Sequence, residues 1–84
     1  MVQFTLTLPI PTTRTTIEER ILPDLRGINR SIVLVSLDGD EGIARFDGPV
    51  CNDTQYQSLG DLFNEWLEQE DSPILTFAMI RGPA

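Results

Sequence analysis

The sequence predicts an α+β chain in which two helices accompany a four-stranded antiparallel sheet, and three observations predict it. Val2, Phe4, Leu6 and Leu8 alternate with Gln3, Thr5 and Thr7, the period-2 pattern of a strand with one buried face. Leu59, Leu62, Phe63, Trp66 and Leu67 fall at i, i+3, i+4, i+7 and i+8, the apolar stripe of a helix. Segments of these two kinds recur in the order β-α-β-β-α-β, divided by Pro- and Gly-bearing breaks.

The first strand ends at Pro9 and Pro11, since proline cannot donate to a ladder. Thr16 stands three residues before Glu19, a capping-box spacing, and Ile17, Ile21, Leu22 and Leu25 follow at helical intervals. Pro23 interrupts this helix. Either the helix stops at Leu22, or it kinks and runs on to Gly27, which has the chemistry of a C′ residue. A second strand covers Ile32 to Leu37, with Ile32 and Leu34 on one face and Val33, Val35 and Leu37 on the other. Asp38-Gly39-Asp40-Glu41-Gly42 has turn composition, and its glycines permit positive φ. The third strand runs from Ile43 to about Asp47, closed by Gly48-Pro49. The second helix is expected to be capped by Ser58, or by Thr54 one turn earlier, and stopped by Pro73. The last strand, Ile74 to Ile80, is apolar on both faces except at Thr76.

This element order resembles the ferredoxin-like split β-α-β-β-α-β arrangement, which implies two helices on one face of a four-stranded antiparallel sheet. At 84 residues the chain has room for one domain, 1–84. The resemblance is one of topology alone and brings no function with it. The glycine-rich, arginine-bearing loop of an acylphosphatase is missing after the first strand. So are the stacking aromatics of an RNA-recognition module, since the third strand offers only Phe46. In such a sheet the second and fourth strands lie at the edges, and here those strands are apolar on both faces. Exposed apolar edges invite pairing with another chain, so a homodimer or hetero-complex through the open sheet face is expected, with Val33, Val35, Leu75 and Phe77 in contact.

Composition excludes more than it assigns. The chain has 13 acids, six Arg, no Lys and no His, for a formal net charge of −7. The commonest general base and transition-metal ligand are therefore missing, as is any Schiff-base lysine. One Cys excludes an internal disulfide or a CxxC site. Cys51 sits among acids with no cation to activate it and reads as a small buried residue. No enzyme, no cofactor and no metal site are expected. The pI near 4.2 opposes direct nucleic-acid binding. The start of the chain lacks a basic region followed by an apolar run, and no segment approaches the roughly 20 apolar residues of a membrane helix. A cytoplasmic location is expected.

The excess charge is local. Residues 1–37 hold four Arg and three acids, and residues 38–84 hold ten acids and two Arg. On the second helix Asp61, Glu65 and Glu68 fall at i, i+4 and i+7, opposite the apolar stripe. A charge run of this kind is ordinarily a solvated face. Two features oppose that reading in part. Like charges at i, i+4 cost about 0.2–0.5 kcal/mol per pair, and acids in a last turn oppose the helix macrodipole at about 0.3–1 kcal/mol each.

The functional reading is a small acidic adaptor or inhibitor that docks a basic protein surface. Asp61, Glu65 and Glu68, joined by Asp38, Asp40 and Glu41 of the hairpin tip, would form the contact. In its sharper form the surface mimics nucleic-acid phosphates and competes for a basic groove, as phage-type anti-defence proteins do. The alternative is a regulatory domain in which Arg side chains hold an anionic small ligand at a dimer sheet interface. Asp38 to Gly42 fails the register of a calcium loop, because Ile43 falls where the invariant glycine belongs. Arg14, Arg20, Arg26 and Arg30 offer a basic patch, but Arg20 and Arg26 are interspersed with Glu18, Glu19 and Asp24, so local pairing is the simpler expectation. Tyr56 and Trp66 are expected in the core or at its rim.

Overall fold

The computed structural model describes residues 1–10 and 12–82; the strand-ending assignment to Pro11 lies outside them. The architecture is α+β, with a four-stranded antiparallel sheet and three helices. The elements are β1 (Val2–Thr7), α1 (Arg14–Arg20), α2 (Leu22–Ile28), β2 (Val33–Asp38), β3 (Ile43–Gly48), α3 (Asp53–Glu68) and β4 (Thr76–Arg81). The sheet order is β2-β3-β1-β4. The chain therefore crosses over β3 between β1 and β2, through α1 and α2, and over β1 between β3 and β4, through α3. β2 and β4 are the edges.

The extra helix comes from Pro23. It occupies the first turn of α2, where its missing N–H has no partner to lose. The single interrupted helix is thus two short ones joined at Ile21, which contributes a buried side chain. Gly27 is not a C′ residue. α2 runs on to Ile28 and is capped by Asn29 in extended conformation. The cap of α1 lies one turn earlier than expected. Thr13 is the N-cap, its hydroxyl accepting from the Thr16 amide at 3.3 Å. The run of threonines offered several caps, and Thr13 admits one more turn of helix than Thr16.

α3 also begins earlier than Ser58 or Thr54. Asn52 caps it, and a reciprocal capping box joins the two ends of Asn52-Asp53-Thr54-Gln55. The Gln55 amide donates to Asn52 Oδ1 at 2.9 Å and the Asn52 amide to Gln55 Oε1 at 3.0 Å. Gln55 does more than cap. Its Oε1 also accepts from Asn29 Nδ2 at 3.0 Å, and its Nε2 donates to the Ile28 carbonyl at 3.2 Å. The C-terminus of α2 and the N-terminus of α3 are thereby tied through one side chain.

One face of the sheet carries the core. Val2, Phe4 and Leu6 of β1 and Ala44 and Phe46 of β3 are buried with Ile17, Leu25, Leu59, Phe63 and Trp66 from the helices. Phe63 is in ring contact with Phe4, Trp66 and Phe77 at centroid separations of 5.2–5.5 Å. Phe4 stacks on Phe46 at 5.0 Å.

Two placements on the edge strands correct the sequence expectation. A bulge between Leu34 and Ser36 inserts Val35 as an extra residue, so Leu34 and Leu37 both face the core although three positions separate them. Phe77 pairs with Leu6 in register and turns its ring to Phe63. It belongs to the core side, not to the open face. Of the four residues expected on that face, Val33 and Val35 are there, 44% and 56% exposed, and Leu75 is exposed in the bend before β4. Ile80, 63% exposed, takes the position expected of Phe77.

Candidate functional site

The helical period sets the geometry of α3. Burying Leu59, Phe63 and Trp66 leaves the opposite side to solvent, and Asp61, Glu65 and Glu68 are all exposed there. No basic residue stands in the last turn of α3. The first-turn acid behaves differently. Asp53 sits where the macrodipole favours an anion and pairs with Arg81 of β4 at 3.0 Å. Arg81 also lies over the Tyr56 ring, 5.5 Å from its centroid. Among the described residues the other ion pair is Arg14–Glu18, at 3.1 Å. Asp61, Glu65 and Glu68 are thus without a cationic partner, and so are Glu70 and Asp71 beyond them.

The hairpin tip is placed elsewhere. Asp38 is engaged in its own turn, accepting from the Asp40 amide at 3.1 Å and the Glu41 amide at 3.2 Å. Gly42 closes the turn at φ +72°, donating to the Asp38 carbonyl at 2.8 Å and accepting from the Leu8 amide at 2.7 Å. Asp40 and Glu41 remain exposed. The tip belongs to the β2–β3 side of the sheet, whereas α3 packs on β4 and α2. The six carboxylates form two groups, one on the helix and one on the turn. Among the described residues no three acids, Cys or His are brought together as a metal site would need.

Arg20 and Arg26 do not pair as expected, whereas Arg14 pairs locally with Glu18. Arg26 donates to the Ile32 carbonyl at 3.5 Å, and Arg20 forms no ion pair with Glu19 or Asp24 among the described residues. Arg14, Arg20, Arg26 and Arg30 lie on or after the first two helices, leaving Arg45 as the arginine of the open sheet face. Tyr56 is half-buried and Trp66 buried, as the apolar spacing implies. The Gln55 link and the placement of Arg45 and Asp47 on one face were not singled out from sequence. Asn52-x-x-Gln55 spacing carries the first, and plain strand alternation carries the second.

Cys51 is 5% exposed, and burial pushes its thiol up, with the chain's α-amino charge opposing this. A thiol pushed up is mostly unionised at neutral pH and a weak nucleophile. Its modification by iodoacetamide at pH 8 is expected to be much slower than that of free cysteine, and denaturant should restore the ordinary rate. Fast labelling of the folded protein would contradict the burial. In linkage terms the folded state favours the neutral thiol. That stabilisation is complete below the ordinary value of 9.0 and is lost as pH rises through the raised folded value.

Among the described residues no helix is long and apolar enough to cross a membrane. Comparison with protein-family models, with curated proteins and with solved structures finds no match to this chain.

Proposed function

We propose that this chain is a small non-enzymatic interaction protein that docks a basic surface of a protein partner through Asp61, Glu65 and Glu68 of α3. Asp40 and Glu41 at the hairpin tip form a second, separate contact. The observation that carries this reading is a line of three exposed carboxylates on a helix whose last turn has no cation. A face selected for stability alone would interleave charges, because each like-charge pair costs a few tenths of a kcal/mol. In the sharper form of the proposal the spaced carboxylates stand in for backbone phosphates, and the partner's groove otherwise holds nucleic acid. We read the scaffold as a ferredoxin-like split β-α-β-β-α-β. The order β2-β3-β1-β4, with β1 and β3 central, supports this, and the first helix is divided by Pro23.

The test uses an immobilised arginine-rich peptide. Capture of the native chain should collapse as salt rises from about 0.1 M to about 1 M, where the Debye length falls from about 10 Å to about 3 Å. The triple variant Asp61→Arg/Glu65→Arg/Glu68→Arg should lose capture while keeping its far-UV circular dichroism. A control, Glu18→Arg/Glu19→Arg/Asp24→Arg, changes the net charge by the same amount on α1 and α2. Equal loss in both variants would reduce the effect to overall charge and sink the proposal. Displacement of the chain by duplex DNA tests the phosphate-mimic form.

A further inference from the structure

The open face of the sheet is arranged in rows set by the strand register. One row crosses the sheet as Val33, Asp47, Gln3 and Ile80, and the next as Ser36, Arg45, Thr5 and Ala78, with the bulged Val35 beside Ser36; a third row, Asp38, Ile43, Thr7 and Thr76, lies at the hairpin-tip end. Gln3, Arg45, Ala78, Ile80, Val33 and Val35 are exposed, and Thr5 and Asp47 half-buried. Arg45 and Asp47 form no ion pair among the described residues. In a chain of net charge −7, the first two rows sum to zero, and Asp38 is the charge of the third.

We infer that this face binds a second copy of the chain, about a twofold axis lying between the two sheets and crossing β3 at the level of Phe46. Such an axis exchanges the first two rows. Arg45 then faces the partner's Asp47, and Asp47 faces the partner's Arg45. On β1, Gln3 faces the partner's Thr5; on β4, Ile80 faces the partner's Ala78; on β2, Val33 faces the partner's Val35 and Ser36. Each strand thus matches charge with opposite charge, amide with hydroxyl, large with small, and aliphatic with aliphatic. Stacked sheets lie about 10 Å apart, a gap that an extended Arg and an Asp side chain span together. An axis running along the strands between β1 and β3 would instead set Arg45 over the partner's Thr5 and leave both charges without a counterion. Self-complementarity of this kind is what an isologous interface requires.

Four strands at about 4.8 Å and six residues at about 3.4 Å give a face of roughly 19 by 20 Å, or about 400 Å² in projection. A stable interface buries about 800 Å² of accessible surface per partner, so the dimer is small and concentration-dependent. A basic partner would find no net negative charge in the two exchanged rows, which leaves the acidic α3, on the opposite side of the sheet, and the hairpin tip as its targets. The dimer would present two copies of α3 on its outer sides.

Sedimentation equilibrium from about 1 μM to about 1 mM spans the affinities expected of an interface this size. The native chain should pass from monomer to dimer within that range. Arg45→Asp sets carboxylates against carboxylates twice and should weaken dimerisation at least about tenfold. The swapped variant Arg45→Asp/Asp47→Arg recreates both ion pairs and should return to within about threefold of the native value. Circular dichroism confirms that each variant is folded. A monomer across the whole range, a dimer indifferent to Arg45→Asp, or a swap that fails to restore it would each overturn the inference. The Asp61→Arg/Glu65→Arg/Glu68→Arg variant should dimerise as the native chain does, which separates this result from the fate of the docking proposal.

Discussion

Replacing Phe63 by Ala is expected to cost about 3–5 kcal/mol of folding stability, the range for truncating a buried aromatic. Phe63 is 0% exposed and touches the rings of Phe4, Trp66 and Phe77, so it joins α3 to β1 and to the edge strand β4. The cavity left by the ring would be bounded by other rigid rings, which cannot collapse into it without leaving their rotamers. At about 0.05–0.15 kcal/mol per residue, a chain of this length has roughly 4–13 kcal/mol in all. The variant should therefore be partly unfolded near body temperature. Urea denaturation should show a large fall in midpoint at nearly constant slope. Leu67, 38% exposed on the same helix, provides the contrast: Leu67→Ala should change stability by much less. A loss below about 1 kcal/mol in Phe63→Ala would mean that the aromatic cluster is not the anchor of α3.

Gly42→Val should be the second large loss, about 2–4 kcal/mol, through backbone geometry and not through lost burial. Gly42 holds the single positive φ found among the described residues, at +72°, a region that β-branched residues adopt only under strain. A Cβ at this position would also collide with the Leu8 carbonyl oxygen. The Leu8 amide donates to the Gly42 carbonyl at 2.7 Å, so relieving the collision would pull apart the hydrogen bond that continues the β1–β3 pairing. Gly27 makes the comparison sharp. It lies within α2, and a Cβ there meets nothing within 4 Å. Gly27→Ala should therefore stabilise the chain by about 0.4–1 kcal/mol, by restricting the unfolded state and favouring helix. Thermal melts of the two variants should move in opposite directions. A Gly42→Val midpoint equal to native would remove the argument from positive φ.

Much of the acidic face on α3 was legible in the sequence, because it depends on one local quantity. A helical period of 3.6 residues places Asp61, Glu65 and Glu68 on one side wherever the helix packs. Joining them to Asp38, Asp40 and Glu41 was not legible. That association depends on which sheet edge each element occupies, and the structure puts the turn beside β2 and the helix against β4. The helix starts were misplaced for a related reason. Thr13 and Thr16 are equally competent caps by residue type, and Asn52, Thr54 and Ser58 are all accepted at that position. The choice between them fell to the side-chain bonds each one could complete, above all to Gln55, whose partners Asn29 and Ile28 come from another helix.

The edge strands mark the boundary between local and tertiary information most clearly. Strict alternation placed Leu37 opposite Leu34 and counted Phe77 among the exposed residues. One inserted residue, Val35, reverses the parity of β2, and pairing with Leu6 turns Phe77 toward Phe63. Alternation in a single strand identifies which residues share a face but not which face is covered. That depends on the helices that arrive from distant parts of the chain. The sequence by itself determined the number and order of the strands, the apolar stripe of α3 and the local excess of negative charge, because each arises from neighbours a few residues apart. Only the tertiary structure decided the strand order in the sheet, the division of the first helix at Pro23 and the two matched rows of the open face. Those rows exist because register aligns residues 33, 47, 3 and 80, which no local period connects.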